Sequence, residues 1–408
     1  MYNHYKKQMI LLIASILTIF SAQISFSQNY ADLVLKNGKI ITVDSTESIV
    51  QAVAVKDSMT IKVGSDTDVQ SLIGPETQVV NLQGKTVTPG LIDAHGHLLY
   101  WGQINNDFVN LRPPEVISIA DIVVKISAAV SQADSGEWVI GDGFLYITEG
   151  RLPTRYDIDP VSPNNPVLLN NMGGHFGTAN SYALELAGID SSTKNPVGGI
   201  IEKDTTTGQP TGVLWNHPAM DLVRKYYPEF PVDQLTADAI YAQDLYISLG
   251  ITSFQDVNTR GLNRIKAYVA AVDSLKPRGY LLLTIEKPAD ADLSLSYTKL
   301  YVGPKLSFGG DKFLLDGQPP TSYTYEAHPG PSWNMPTWNP DTLKTAVKKL
   351  HRAGHQLAFH VMGDHAIDLA LDAIEEALTD TFRDDHRHRL EHCMIPTVAA
   401  VQRMKRLG

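Results

Sequence analysis

Two histidines one residue apart, His95 and His97, close an apolar segment that begins at Leu91-Ile92. Alternate residues of a strand point to the same side, so Asp93, His95 and His97 are expected on one face, where both imidazoles can hold one divalent cation. Taken alone, the pair also fits two hydrogen-bonded polar side chains. Two later apolar segments end the same way, His360 after Leu357-Ala358-Phe359 and His392 after Arg389-Leu390-Glu391. Four histidines at three strand ends point to a metal site, because active sites of barrel folds gather where the strands end.

The elements that must position these groups follow one another regularly. Residues 31–87 read as short strands near 32–35, 39–43, 50–55, 59–63 and 78–82, with Asn37-Gly38 as a hairpin-type turn. That makes residues 28–88 a small β domain. Beyond His97, strands near 251–256, 280–286, 306–316, 356–360 and 387–392 alternate with helical patterns, which implies a parallel sheet with helices outside it. Leu343, Ala346, Val347 and Leu350 recur at helical spacing between Asn339-Pro340 and Gly354, and Ile367, Leu371, Ile374 and Leu378 do so after Asp364. The stretch from His97 to Ile251 is too long for one crossover, and its Pro, Gly and Asn clusters mark residues 105–230 as an inserted subdomain.

Five segments, in this order, resemble the amidohydrolase superfamily and its amidohydrolase-3 branch. They are Pro89-Gly90-Leu91-Ile92-Asp93-Ala94-His95-Gly96-His97; Gly174-His175 with Asn180-Ser181-Tyr182-Ala183-Leu184; residues 312–317, a Lys-x-x-x-Asp-Gly; His360-Val361-Met362-Gly363-Asp364-His365-Ala366; and His388-Arg389-Leu390-Glu391-His392. The resemblance implies an α/β fold, a (β/α)8 barrel of TIM type over residues 89–408 accompanied by a small β-sandwich domain. It further implies one or two divalent metal ions, with zinc suiting histidine and oxygen ligands. His95 and His97 would hold one ion and His360 and His392 a second, with Lys312 on the fourth strand as a carboxylated bridge. A lysine can take that part only after losing its proton, which burial beside cations favours; an ordinary lysine paired with Asp316 is the alternative. His175 would touch the substrate oxygen, or else serve as a turn residue of the Gly173-Gly174 loop. Asp93, Asp316 and Glu391 would steady the ligating rings. The activity implied is hydrolysis of an amide, N-acyl or formamide C–N bond in a small molecule by hydroxide made available at the metal. Hydrolytic deamination of a ring amine uses the same chemistry.

Two departures from the family pattern stand out. Where members carry Gly-Val-Leu-Arg-Glu, this chain has Gly212-Val213-Leu214-Trp215-Asn216, so a substrate contact by that acid is not expected. Residues 90–408, less the insertion, leave roughly 190 residues against the ~250 of a full eight-stranded barrel. Six barrel strands are countable, and the aspartate that the family carries on the eighth strand as general base has no counterpart. A C-terminally truncated barrel, and a catalytically inactive metal-binding fragment, are the corresponding expectations.

Composition bounds the rest. With 43% hydrophobic and 19% charged residues the chain reads as globular. Lys6 and Lys7 precede an apolar run over residues 9–20, and Ser25 and Ser27 flank Phe26, so residues 1–27 read as a secretory signal peptide and the mature protein as periplasmic or extracellular, without a membrane anchor. Cys393 is the sole cysteine, so no disulfide forms within the chain. The formal charge of −10 opposes nucleic acid as a partner and leaves a small-molecule substrate; oligomeric state is not legible.

Overall fold

The computed structural model describes residues 29–145, 147–297, 303–326 and 336–408; the expected signal peptide lies outside the described residues. The chain divides into two units, residues 1–90 and 91–408. In the first, the strands are β1 (Leu33–Lys36), β2 (Lys39–Ile41), β3 (Ile49–Val50), β4 (Ala52–Lys56), β5 (Met59–Gly64), β6 (Gln78–Asn81) and β7 (Thr86–Val87). They form a four-stranded sheet in the order β5-β4-β1-β6 and a three-stranded sheet in the order β3-β2-β7. Val34, Ala52, Ala54 and Val69 are its buried centre. The turn at Asn37, with φ 56°, does not close a hairpin: β1 and β2 belong to different sheets, so the turn carries the chain from one sheet to the other.

In the second unit, β8 (Leu91–Gly96) is followed by a mixed sheet that fills the predicted insertion: β9 (Val109–Asn110), β10 (Val139–Phe144), β11 (Val167–Asn171), β12 (Phe176–Ala179), β13 (Ile200–Lys203) and β14 (Pro210–Trp215), in the order β13-β14-β12-β11-β10-β9. The parallel sheet then resumes with β15 (Ile251–Thr259), β16 (Arg278–Ile285), β17 (Leu306–Leu314), β18 (Gln356–Val361) and β19 (Arg389–His392), adding strands in sequence beside β8. Each follows a helix, and the helices bury apolar residues against this sheet. The helix Pro340–Arg352, for example, is capped by the Asn339 side chain, starts on proline, and buries Leu343, Ala346, Val347 and Leu350. Gly354, at φ 90°, ends that turn.

These six parallel strands are those of an incomplete TIM-type barrel, and the sheet is curled. The rings of His95, on β8, and His392, on β19, lie 4.9 Å apart although these are the outermost strands. Arg389 reaches across the gap: its guanidinium donates to the Ala94 carbonyl at 3.2 Å, to Glu391 at 2.6 Å, and to Gln255. Two of the strand boundaries that differ from expectation bear on the site. β17 stops at Leu314, so Asp316 lies in the following loop, and β19 begins at Arg389 because Arg387 takes a positive φ of 52°.

Candidate metal and substrate site

The C-terminal ends of the parallel strands surround a cavity of about 530 Å³ whose walls include His95, His97, Lys312, His360 and His392, together with His175. The rings run as a chain: His97 to His95, 5.7 Å between centroids; His95 to His392, 4.9 Å; His392 to His360, 4.6 Å; His360 to His175, 4.5 Å. Among the described residues no set of three His, Cys, Asp or Glu side chains is closed to the spacing of a metal's ligand shell. The donors nevertheless fit a divalent cation. Lys312 Nζ, His360 Nε2 and His175 Nδ1 are all buried without a hydrogen-bond partner, and a native fold rarely leaves such atoms unsatisfied unless something else occupies their lone pairs.

Electrostatics favours the ligand forms. Burial pulls the Lys312 amine down to about 7, and pulls His97 and His392 to about 4 and His175 to about 3; His360 falls well below its ordinary value for the same reason. Neutral imidazoles and an amine that loses its proton easily are what metal binding requires.

The three carboxylates act at different places. Glu391 bonds the Nδ1 of His95 and is held from behind by Arg389, so it sets that ring's orientation. Asp316 accepts the amides of Tyr323, Met362 and Gly363 and lies 3.8 Å from His360 Nε2, outside hydrogen-bond reach; it braces the loop after β18. Asp93 does not share the face of His95 and His97. From Asp93 to Gly96, β8 spends one residue more than β15 does from Phe254 to Asp256, and this bulge breaks the period of two. Asp93 instead accepts the Tyr246 hydroxyl at 3.0 Å and the His95 amide at 3.2 Å.

His217 escaped the sequence reading. On the helix Asn216–Arg224, it lies 5.0 Å from the His175 ring and lines the same cavity. Its Nδ1 faces Arg224 at 3.1 Å and Arg260 at 3.4 Å. Guanidinium groups only donate, so this neutral imidazole carries its proton on Nε2 and offers an N–H donor. No strand pattern marks it, because it enters from the inserted unit. The neighbouring Asn216 is buried and committed to the scaffold. Its amide donates to the His175 carbonyl at 2.6 Å, its side chain to the Gly198 carbonyl at 3.1 Å, and its side-chain oxygen accepts from Thr321 at 2.7 Å.

Comparison with known proteins follows the same lines. The sequence model of the amidohydrolase family matches residues 78–408. LONG AFTER FAR-RED 3 of Arabidopsis thaliana is 33% identical over 384 residues, covering 89% of this chain and 64% of that protein. N-substituted formamide deformylase of Arthrobacter pascens is 31% identical over 398 residues, covering 92% and 71%. The chain thus spans less than two thirds of the first relative's length. Among solved structures, an uncharacterized metal-dependent hydrolase of Pyrococcus horikoshii superposes with a TM-score of 0.68 at 23% identity, over 92% of this chain and 73% of that one. At that identity the likeness concerns the fold.

Proposed function

This chain belongs to the amidohydrolase family, and from that premise we propose that it is a metal-dependent hydrolase opening an amide-type C–N bond of a small molecule, formamide and N-acyl compounds first among them. The observation that carries this reading is the set of buried, unpartnered donors, Lys312 Nζ and His360 Nε2, in the wall of the cavity that His95, His97 and His392 share. One or two divalent ions held by these five residues, zinc being well suited and a carboxylated Lys312 the bridge, would supply Lewis acidity that lowers the pKa of water towards ~7 and polarises a carbonyl. The chain's own groups do the rest. Glu391 keeps His95 in register, His175 meets the substrate oxygen, and the Nε2–H of His217 adds a hydrogen bond to the same oxygen. The formamide deformylase relative supports the substrate class.

The test is elemental analysis of the purified full chain and of Lys312→Ala, combined with release of formate or carboxylate from a panel of formamides and N-acyl amines. Metal in the wild type, less metal in the variant, and acyl release support the reading. A metal-free wild type that releases nothing sinks it, and ammonia from ring amines, without acyl release, would replace it by deamination. Export is proposed on residues 6–27 alone, and mass spectrometry of the secreted protein should find Gln28 at its N-terminus.

A further inference from the structure

The cavity's permanently charged residues are all of one sign. Arg112, Arg224, Arg260 and Arg264 line it, and no aspartate or glutamate does among the described residues. Three of the arginines are neutralised from behind the wall: Arg112 by Asp142 at 2.7 Å, Arg224 by Asp221 at 3.5 Å, and Arg260 by Glu286 at 2.6 Å. The guanidinium of Arg264, half-buried on the helix Gly261–Ala271, makes neither an ion pair nor a hydrogen bond with any described residue. Asp256 and Asp238 act on it only from a distance: Asp256 accepts the Tyr268 hydroxyl and the Asn258 amide at 2.9 Å, and Asp238 accepts the Asn106 side chain at 2.8 Å. Taking a guanidinium partly out of water without a carboxylate in contact is costly, and burial pushes its pKa down. A scaffold has no use for such an arrangement, whereas a binding site for an anion does.

The rest of this wall is aromatic. Phe108 packs edge-on against Phe230, with centroids 6.0 Å apart, and against Tyr100 at 5.8 Å, and Arg112 stacks over Trp101 at 5.3 Å. A cavity of this size takes a small molecule with an apolar body and few polar anchors.

We propose that Arg264 is a specificity-determining residue that recognises a carboxylate on the substrate, so that the preferred substrates are amides joining an aromatic or apolar body to a carboxylate. The inference rests on the hydrolase reading for the word substrate; the anion site itself does not. Two pairs of probes separate them. N-formylphenylalanine and its neutral carboxamide, in both enantiomers, are compared by kcat/KM, and 3-phenylpropionate and 3-phenylpropionamide by calorimetric binding to the full chain. The wild type should prefer the anion in both assays, and Arg264→Met should cut that preference about 10- to 100-fold, through KM rather than kcat. Arg264→Lys, which keeps the charge but loses the fork, should fall between, and it carries the test if the Met variant does not fold. A wild type indifferent to the charge, or a preference that survives in the folded variants, overturns the proposal. Arg264-dependent binding of phenylpropionate without turnover of either amide would leave the anion site standing and the hydrolase reading fallen; equal turnover of both amides would do the reverse.

Discussion

Histidines cluster at both ends of the parallel strands, and the two clusters differ in where their ring nitrogens go. At the C-terminal ends, His360 Nε2 and His175 Nδ1 are buried and bonded to nothing. At the N-terminal ends of β18 and β19, His351, His386 and His388 form a second group, with rings 4.5 to 6.5 Å apart, in which every ring nitrogen is taken. His351 Nε2 donates to the Thr381 carbonyl at 2.7 Å, so its Nδ1 accepts from His388 Nε2 at 2.8 Å. His388 Nδ1 accepts the Leu357 amide at 3.0 Å; His386 accepts the His388 amide at 3.0 Å and donates to the Leu407 carbonyl at 2.8 Å. Imidazoles gathered together are therefore not in themselves a ligand site. A cluster that consumes its own donors and acceptors joins loops to strands, and one that leaves them open awaits a ligand.

Substitutions at the two ends should separate activity from stability. His360→Ala is expected to have the largest effect: loss of metal and a fall in turnover beyond the ~10- to 100-fold seen when a residue merely supporting a metal ligand is removed, with little change in thermal unfolding. Full activity in that variant would place the chemistry elsewhere. His351→Ala should do the opposite, leaving the His388 Nε2–H and the Thr381 carbonyl unpaired at a cost of about 1–3 kcal/mol in unfolding, while turnover per folded molecule holds. Denaturant titration of both proteins decides it.

The smallest expected effect concerns pH. Burial pulls His388 down to about 2, with His386, His351 and Arg383 adding to the shift, while Asp380 also faces this group through His351. The unfolded chain, whose histidine titrates near 6.5, then binds a proton that the folded chain refuses. Stability from this residue is complete above about pH 6.5 and declines as the pH falls below it, by up to ~1.4 kcal/mol per pH unit before solvent screening reduces the figure. His388→Gln should flatten the pH dependence of the unfolding midpoint between about pH 4 and 6. An unaltered slope would assign the acid sensitivity to the cavity histidines instead.

Much of this was legible in one dimension. Period-two and helical patterns around His95, Lys312, His360 and His392 identify the strands and helices, because local alternation of apolar and polar residues reflects which side each element buries. The order of the motifs carries the family. What the sequence alone did not determine is where side chains meet once the sheet curls. A single-residue bulge in β8 sends Asp93 to Tyr246 and away from His95 and His97, and no pattern of residue types encodes a register shift against a strand about 160 residues away. His217 and Arg264 reach the cavity from two helices separated by β15, and their roles depend on distances to Arg224, Arg260 and Asp256 that only packing establishes. The residue types that can hold a metal are thus a property of the sequence; which of their nitrogens remain unspent, and which arginine lacks a carboxylate in contact with it, is decided by the tertiary structure, because hydrogen bonds and ion pairs are satisfied in space and not along the chain.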